Sequence, residues 1–300
     1  MLHASADAAT VSAADCTGPL ARTYQRLART CASLHVDVLT EGQHPAAEEM
    51  SWTAAEAGEY GEYGLWTDGA RLAADPEMLD SAVNAEAARV GVTYDHVPRG
   101  DVAASRVLHH YLWSVALLMS GPWYLERRVP RVRPRDVYLN RVTDAFAIRP
   151  GGFACLPDDP AAGLPGARVV GHEEALRGEL RAAVADHMRP LLTAIGPRLR
   201  RGPRALWGMA GDDLVSGIWY LGRMLADEER SVRAATELLP EAIPPFPGGA
   251  DFRRLAGRDG ASYPTRTRLG CCLYYTIRPD EACVTCPRTR DAERLRRLEP

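Results

Sequence analysis

The chain has 300 residues, of which 46% are hydrophobic and 25% charged, with a formal net charge of −3. That size suffices for one large domain or two small ones with a buried core, and the near-neutral balance gives no reason to expect nucleic-acid binding. All 36 basic residues are arginine, so a P-loop, which needs its lysine, is excluded, and no G-x-G-x-x-G run follows a strand-like segment to make a dinucleotide site. No apolar run approaches the roughly 20 residues that span a bilayer. Residues 111–124 come nearest, and Ser114, Ser120, Gly121 and Pro122 interrupt them. A soluble chain, or one at most peripheral to a membrane, is expected.

The opening residues, MLHASADAATVSAAD, have neither a positive n-region nor an apolar h-region, which points to a reducing cytoplasm. Residues 19–39 carry Leu20, Tyr24, Leu27, Cys31 and Leu34 on one helical stripe. Residues 40–69 read as a loop with Trp52 and Trp66 available for packing. Between residues 41 and 62 lie Glu41, Glu48, Glu49, Glu56, Glu59 and Glu62 and no basic residue. A second helix is expected over 76–90, capped by Asp75 with Pro76 in its first turn. A third, more apolar one runs over 101–118 and should stop at Gly121-Pro122.

The pattern then shortens. Residues 136–142, 144–149 and 153–156 read as strands, with Pro150-Gly151-Gly152 reversing the chain between the last two, and together they predict a small antiparallel meander. DDPAAGLPG, residues 158–166, is the clearest linker. Helices resume over 172–195, are expected to stop at Gly196-Pro197, and continue over 205–228 with Trp207, Leu214, Ile218, Leu221 and Leu225 at helical spacing. Trp207, Trp219 and Tyr220 read as core. Residues 239–264, rich in proline and glycine, should be a surface excursion. Arginines crowd two stretches, Arg189 to Arg204 and, near the C-terminus, Arg288, Arg290, Arg294, Arg296 and Arg297. Solvated helix faces explain such runs, and a docking face for an acidic electron-transfer partner or for phospholipid is the sharper reading.

Four of the seven cysteines fall in GCCLYYTIRPDEACVTC: Cys271, Cys272, Cys283 and Cys286. The spacing is C-C-x(10)-C-x(2)-C. A CxxC pair is the two-ligand knuckle of zinc and iron–sulfur sites. The vicinal pair is unusual, since neighbours in a strand face opposite ways and converge only at a bend or bulge. Disulfides, a structural zinc and an iron–sulfur centre all remain open on spacing; a 2Fe-2S unit, with two thiolates for each of two irons, matches two cysteine pairs best. The other cysteines, Cys16, Cys31 and Cys155, lack ligand spacing and read as packing. His109 and His110 are helical neighbours that diverge by about 100° and cannot share one metal. No HExxH, GxSxG or paired-carboxylate signature is present, which favours redox chemistry carried by a cofactor.

The cysteine run resembles the C-terminal signature of the FhuF-type ferric-siderophore reductases, in its ligands and in its flanks: Arg266 and Arg268 before the pair, Leu273-Tyr274-Tyr275 after it, and Pro287 after the last cysteine. Ala205-Leu206-Trp207-Gly208-Met209-Ala210 is similar to the tryptophan-containing helix start that the family carries upstream. The resemblance implies an α+β fold: a predominantly helical reductase body over 1–265 (helical parts 1–125 and 172–235 about the meander at 136–157), a cluster motif over 266–288 and an Arg-rich tail over 289–300. It implies one 2Fe-2S cluster on Cys271, Cys272, Cys283 and Cys286, with no catalytic side chain beyond these ligands. The implied activity is one-electron reduction of siderophore-bound ferric iron in the cytoplasm. A ferric siderophore, with the hydroxamate type among the candidates, would be the substrate, and a separate donor such as a ferredoxin or flavin reductase would supply electrons. Tyr274, Tyr275, Arg266 and Arg268 would tune the potential, which for all-cysteine centres of the plant type sits near about −400 mV, or would contact an anionic siderophore. The alternative is an iron–sulfur or zinc protein with a structural or sensing role.

Overall fold

The computed structural model describes residues 18–32, 34–40, 42–45, 66–141, 143–258 and 260–299. The α+β class expected from the sequence holds, with eight α-helices and three small sheets among the described residues. The acidic run from Glu41 to Glu62, Trp52 and Cys16 lie outside them.

Helix α1 (Pro19–Thr30) begins on a first-turn proline and buries Leu20, Tyr24 and Leu27. It is shorter than expected because the chain becomes extended at β1 (Val36–Val38) to pair with a later strand. After β2 (Trp66–Asp68), Asp68 caps α2 (Gly69–Ala74), its Oδ1 accepting the amides of Ala70 and Arg71 at 3.0 and 2.9 Å. Asp75 does the same for α3 (Pro76–Tyr94), through Glu77 and Met78 at 3.0 and 3.1 Å, as the cap and proline predict. Helix α4 (Gly100–Glu126) is central, packing on α1 and α3 and on both long helices that follow.

The stop expected at Gly121-Pro122 does not occur. Proline in a helix forfeits a backbone hydrogen bond, but this turn is enclosed by its neighbours. Gly121 lets α1 approach so closely that a Cβ there would lie 2.7 Å from Leu27 Cδ2. Tertiary packing overrides propensity.

The meander is only half present. β4 (Val137–Asn140) and β5 (Phe146–Ile148), which follow the short β3 (Val129–Pro130), do form an antiparallel pair, in a sheet ordered β1-β5-β4-β2. β6 (Phe153–Cys155) leaves for a second sheet, antiparallel to β3 and parallel to β7 (Ala167–Val169). The cause is at Gly152, where a Cβ would stand 2.5 Å from the Gly166 carbonyl oxygen. That close approach ties the reversal to residue 166, and Phe153 N donates to the same oxygen at 3.1 Å. The segment read as a linker is mostly exposed but is tied to the body at Asp159 and Ala161. Arg128 holds Asp159 through two 2.9 Å bonds, and Ala161 is buried.

Helix α5 (Glu173–Leu199) runs through Gly196-Pro197, burying Ile195 and Leu199 on either side. The helix expected over 205–228 is two: α6 (Pro203–Met224) and α7 (Glu228–Leu238). The break follows from Ala226, in the left-handed region (φ 55°), and from Gly222, where a Cβ would meet Ser231 Oγ at 2.1 Å. Residues 239–264 are not wholly superficial. Phe246 is buried edge-on against Trp207 at 5.8 Å, before the hairpin β8 (Arg253–Ala256) and β9 (Ser262–Thr265). Helix α8 (Asp291–Leu298) closes the described chain.

Candidate metal centre

From β9 the chain runs along α6, and four side chains fix its path. Asp212 and Asp213, adjacent on α6, are both fully buried, as is Arg266, and Arg268 is nearly so. Arg266 Nη2 donates to Asp212 Oδ1 at 2.7 Å and its Nε to the Ala250 carbonyl at 2.9 Å. Arg268 Nη2 donates to Asp213 Oδ1 at 2.5 Å, and Gly270 N to Asp212 Oδ2 at 2.7 Å. Asp213 Oδ2 also meets His109 Nδ1 of α4 at 2.8 Å. Gly270 is required there, because a Cβ would lie 2.7 Å from Met209 Cγ.

Burial alone would raise both carboxyls. For Asp213 it is outweighed by Arg268 and then His109, which hold it below the ordinary carboxylate value; Asp212, where burial prevails over Arg266 and Arg268, lies above it. The Arg268 guanidinium is kept charged against its burial by Asp213 and then Asp212.

The cysteines follow directly. The bend that a vicinal pair demands is supplied at Leu273, whose φ of 64° is left-handed and whose amide turns back to Cys271 Sγ at 3.4 Å. The Cys272 carbonyl accepts from Ser105 Oγ of α4 at 3.0 Å. Two 3₁₀ turns, Tyr274–Thr276 and Pro279–Glu281, carry the loop to the CxxC turn, which closes with Cys286 N donating to the Cys283 carbonyl at 2.9 Å. Strand and turn are joined where Arg268 N donates to the Thr285 carbonyl at 2.9 Å. Ile277, packed on Val90 and Val102, anchors the loop to α3 and α4.

The thiols neighbour one another in pairs that link the two halves of the motif. Cys286 is a hydrogen-bonding neighbour of Cys271, and Cys272 and Cys286 are charge neighbours of Cys283. Burial, then Cys272, pushes the Cys283 thiol up to about 11, and burial raises Cys271 too. Thiols in this state give up protons to a cation that binds them. No disulfide joins the described cysteines; Cys31 and Cys155 are buried and free, as packing predicts. Among the described residues no three His, Cys, Asp or Glu side chains converge as a single-ion site. The donor set is four soft thiols with two buried guanidiniums beside them, Arg268 and Arg294, which suits an iron–sulfur centre taking two thiolates per iron.

Several flanking residues differ from the sequence reading. Arg266 is enclosed by Asp212 and Ala250, so it does not face the surface. Tyr274 is engaged by Glu281 at 3.0 Å and stands edge-on to Tyr94 at 6.1 Å, while Arg288 lies over the Tyr275 ring at 4.3 Å. The arginines between residues 189 and 204 are largely committed: Arg189 over Trp207, Arg198 to Asp80, Arg201 to Met209 Sδ. Nor is the C-terminal tail merely solvated. Arg294 is buried and binds the Cys286 carbonyl, the Val284 carbonyl and Thr267 Oγ1, each at 2.7 Å.

Asp212 and Asp213 escaped the sequence reading, and His109 and Arg294 were named in it without a role beside the cysteines. The signal was present in part: two consecutive aspartates inside an otherwise apolar helix, and an R-x-R immediately before the cysteines. No helix among the described residues is long and apolar enough to cross a membrane.

Comparison with protein-family models gives a match at the cysteine segment. Residues 268–288 fit the family model described as FhuF 2Fe-2S C-terminal domain, a span that contains all four clustered cysteines. No curated protein matches the chain. The match supports an iron–sulfur cofactor and a segment over residues 268–288 similar to the FhuF 2Fe-2S C-terminal domain.

Proposed function

We propose that this protein is a cytoplasmic reductase that transfers one electron to siderophore-bound ferric iron, through one 2Fe-2S cluster ligated by Cys271, Cys272, Cys283 and Cys286. The observation that carries the reading is the family match, whose 21 residues enclose the vicinal pair and the CxxC turn. The cluster, when bound, supplies electrons singly. The polypeptide contributes the thiolates, a loop that holds them on α4 and α6, and the buried charge of Arg268 beside them. Siderophores hold ferric iron through hard oxygen donors, which bind the less charged ferrous ion far more weakly, so one electron suffices to release it. With no dinucleotide motif in the chain, the electron comes from a separate donor protein.

The test is anaerobic purification followed by stoichiometric reduction. The protein is expected to be brown, with about two irons per chain, to bleach with dithionite, and to recover its colour as a ferric hydroxamate siderophore releases ferrous iron to a chelating dye. Colourless protein holding one zinc would remove the cluster. A reduced centre that no ferric siderophore reoxidises would leave a non-catalytic iron–sulfur protein.

A further inference from the structure

We propose that Arg268 sets the reduction potential of the centre by donating a hydrogen bond from Nε to its sulfur, thiolate or sulfide. The inference rests on the reading of the four cysteines as iron–sulfur ligands and does not depend on the substrate.

Arg266 and Arg268 stand two residues apart against adjacent aspartates, yet they are finished differently. In Arg266 the inner N–H has an acceptor, the Ala250 carbonyl, and the guanidinium is also bound to Asp212 and to Ser216 Oγ at 3.3 Å. In Arg268 only Nη2 is engaged, by Asp213. Its Nε is buried and has no hydrogen-bond acceptor among the described residues. The nearest carboxylate oxygen, Asp212 Oδ2, is 3.9 Å away, beyond a hydrogen bond. A charged donor left unpaired in the interior costs stability, and such groups call for an explanation. Here the charges that the guanidinium meets after the two aspartates are those of Cys272 and Cys283, one from each cysteine pair. Sulfur held by those cysteines is the acceptor that the Nε–H lacks. Arg266 is thus a structural strut, and Arg268 reaches the metal centre.

The direction of the effect follows from charge. Reduction adds one negative charge to the centre, and a cationic donor to its sulfur stabilises that state, so Arg268 raises the potential. Asp213 opposes it from behind the guanidinium.

Redox titration of anaerobically loaded protein, followed by visible absorption and by EPR of the reduced state, tests this. Arg268→Gln is expected to lower the equilibrium constant for reduction at least tenfold, a fall of about 59 mV for a one-electron couple. Asp213→Asn should shift the potential the other way. Arg268→Lys, which keeps the charge without the Nε geometry, should fall between Gln and wild type and alter the EPR g-values. A purely structural role moves both Gln and Asn variants in one direction, so shifts of the same sign, or none, would overturn the proposal. If Arg268→Gln fails to load iron, the Asp213→Asn and Arg268→Lys titrations decide by the same criteria. Wild-type protein without an iron–sulfur centre removes the underlying reading and this one with it. A centre that shows these shifts but reduces no siderophore removes only the reductase.

Discussion

The helical body and the cysteine segment are held by different physics. Around α4 the interior is apolar, with Leu108, Leu112, Val115 and Leu117 excluded from water. The polar groups taken in beside them are neutral: Tyr24 donates to the Leu118 carbonyl at 3.0 Å, and Tyr111 to His187 Nε2 at 2.8 Å. Glu86, tied to Arg89 and Arg106, is an exception at the rim. Residues 266–288 have little apolar burial beyond Ile277 and Cys286, and depend instead on the buried charges of Asp212, Asp213, Arg266, Arg268 and Arg294. Apolar burial is non-directional, whereas an ion pair repays its desolvation only in one geometry. The body secures the fold, and the charged clamp secures the positions of the cysteines.

The largest expected effect breaks one half of that comparison and spares the other. Cys272→Ser should reduce iron from about two per chain to none while the far-ultraviolet helical signal is unchanged. Helix lost together with iron would show that the body depends on the centre. Next comes Asp212→Ala, which strands Arg266 inside and should cost about 3–5 kcal/mol. Leu117→Ala, a cavity in the body, should cost a similar ~2–5 kcal/mol. The two differ in place. Hydrogen exchange is expected to accelerate over 266–288 for the aspartate variant and across α4 and α6 for the leucine variant. Matching exchange maps would erase the distinction.

Acid should find the body through two neutral histidines, His187 buried and His110 half-buried. Burial pushes His187 down to about 4 and His110 likewise to about 4. The Tyr111 hydroxyl donates to His187 Nε2, while Nδ1, carrying the proton, bonds the Val132 carbonyl at 3.0 Å. With the folded value depressed, the unfolded chain binds more protons between the ordinary histidine value near 6.5 and about 4. Stability is therefore fully present above about 6.5 and falls as the pH drops through that window, by about 3 kcal/mol for each histidine. His187→Gln should flatten the slope of denaturant stability against pH there. An unchanged slope would show that His187 does not report on the body.

How much of this was legible depended on where partners lie in sequence. The cysteine motif was readable because its ligands fall within sixteen residues, and α3 because Asp75 and Pro76 announce its start. Helices through Pro122 and Pro197 were not readable, since what carries them is packing by distant side chains such as Leu27. The departure of β6 to a second sheet depends on Gly152 meeting Gly166, again a tertiary contact. The clamp was the hardest, as Asp212 and Arg266 stand 54 residues apart, and His109 and Asp213 stand 104 apart.

The smallest effects test the tail, which the sequence presents as one basic run and the structure divides. Arg294 is buried with three acceptors and belongs to the clamp. Removing it as Arg294→Ala leaves the Val284 carbonyl without a donor and the Cys286 carbonyl with the Thr289 amide alone, at about 1–3 kcal/mol. Arg288 makes an exposed stack on Tyr275, worth about 0.5–1 kcal/mol. Arg294→Ala should therefore both lower the unfolding midpoint and speed iron loss to a chelator, because its acceptors are the backbone of the Cys283–Cys286 turn. Arg288→Ala should move the midpoint slightly and leave the rate of iron loss alone. Equal chelation rates for the two variants would mean that the tail acts as a uniform charge, and Arg294 would then have to be removed from the clamp.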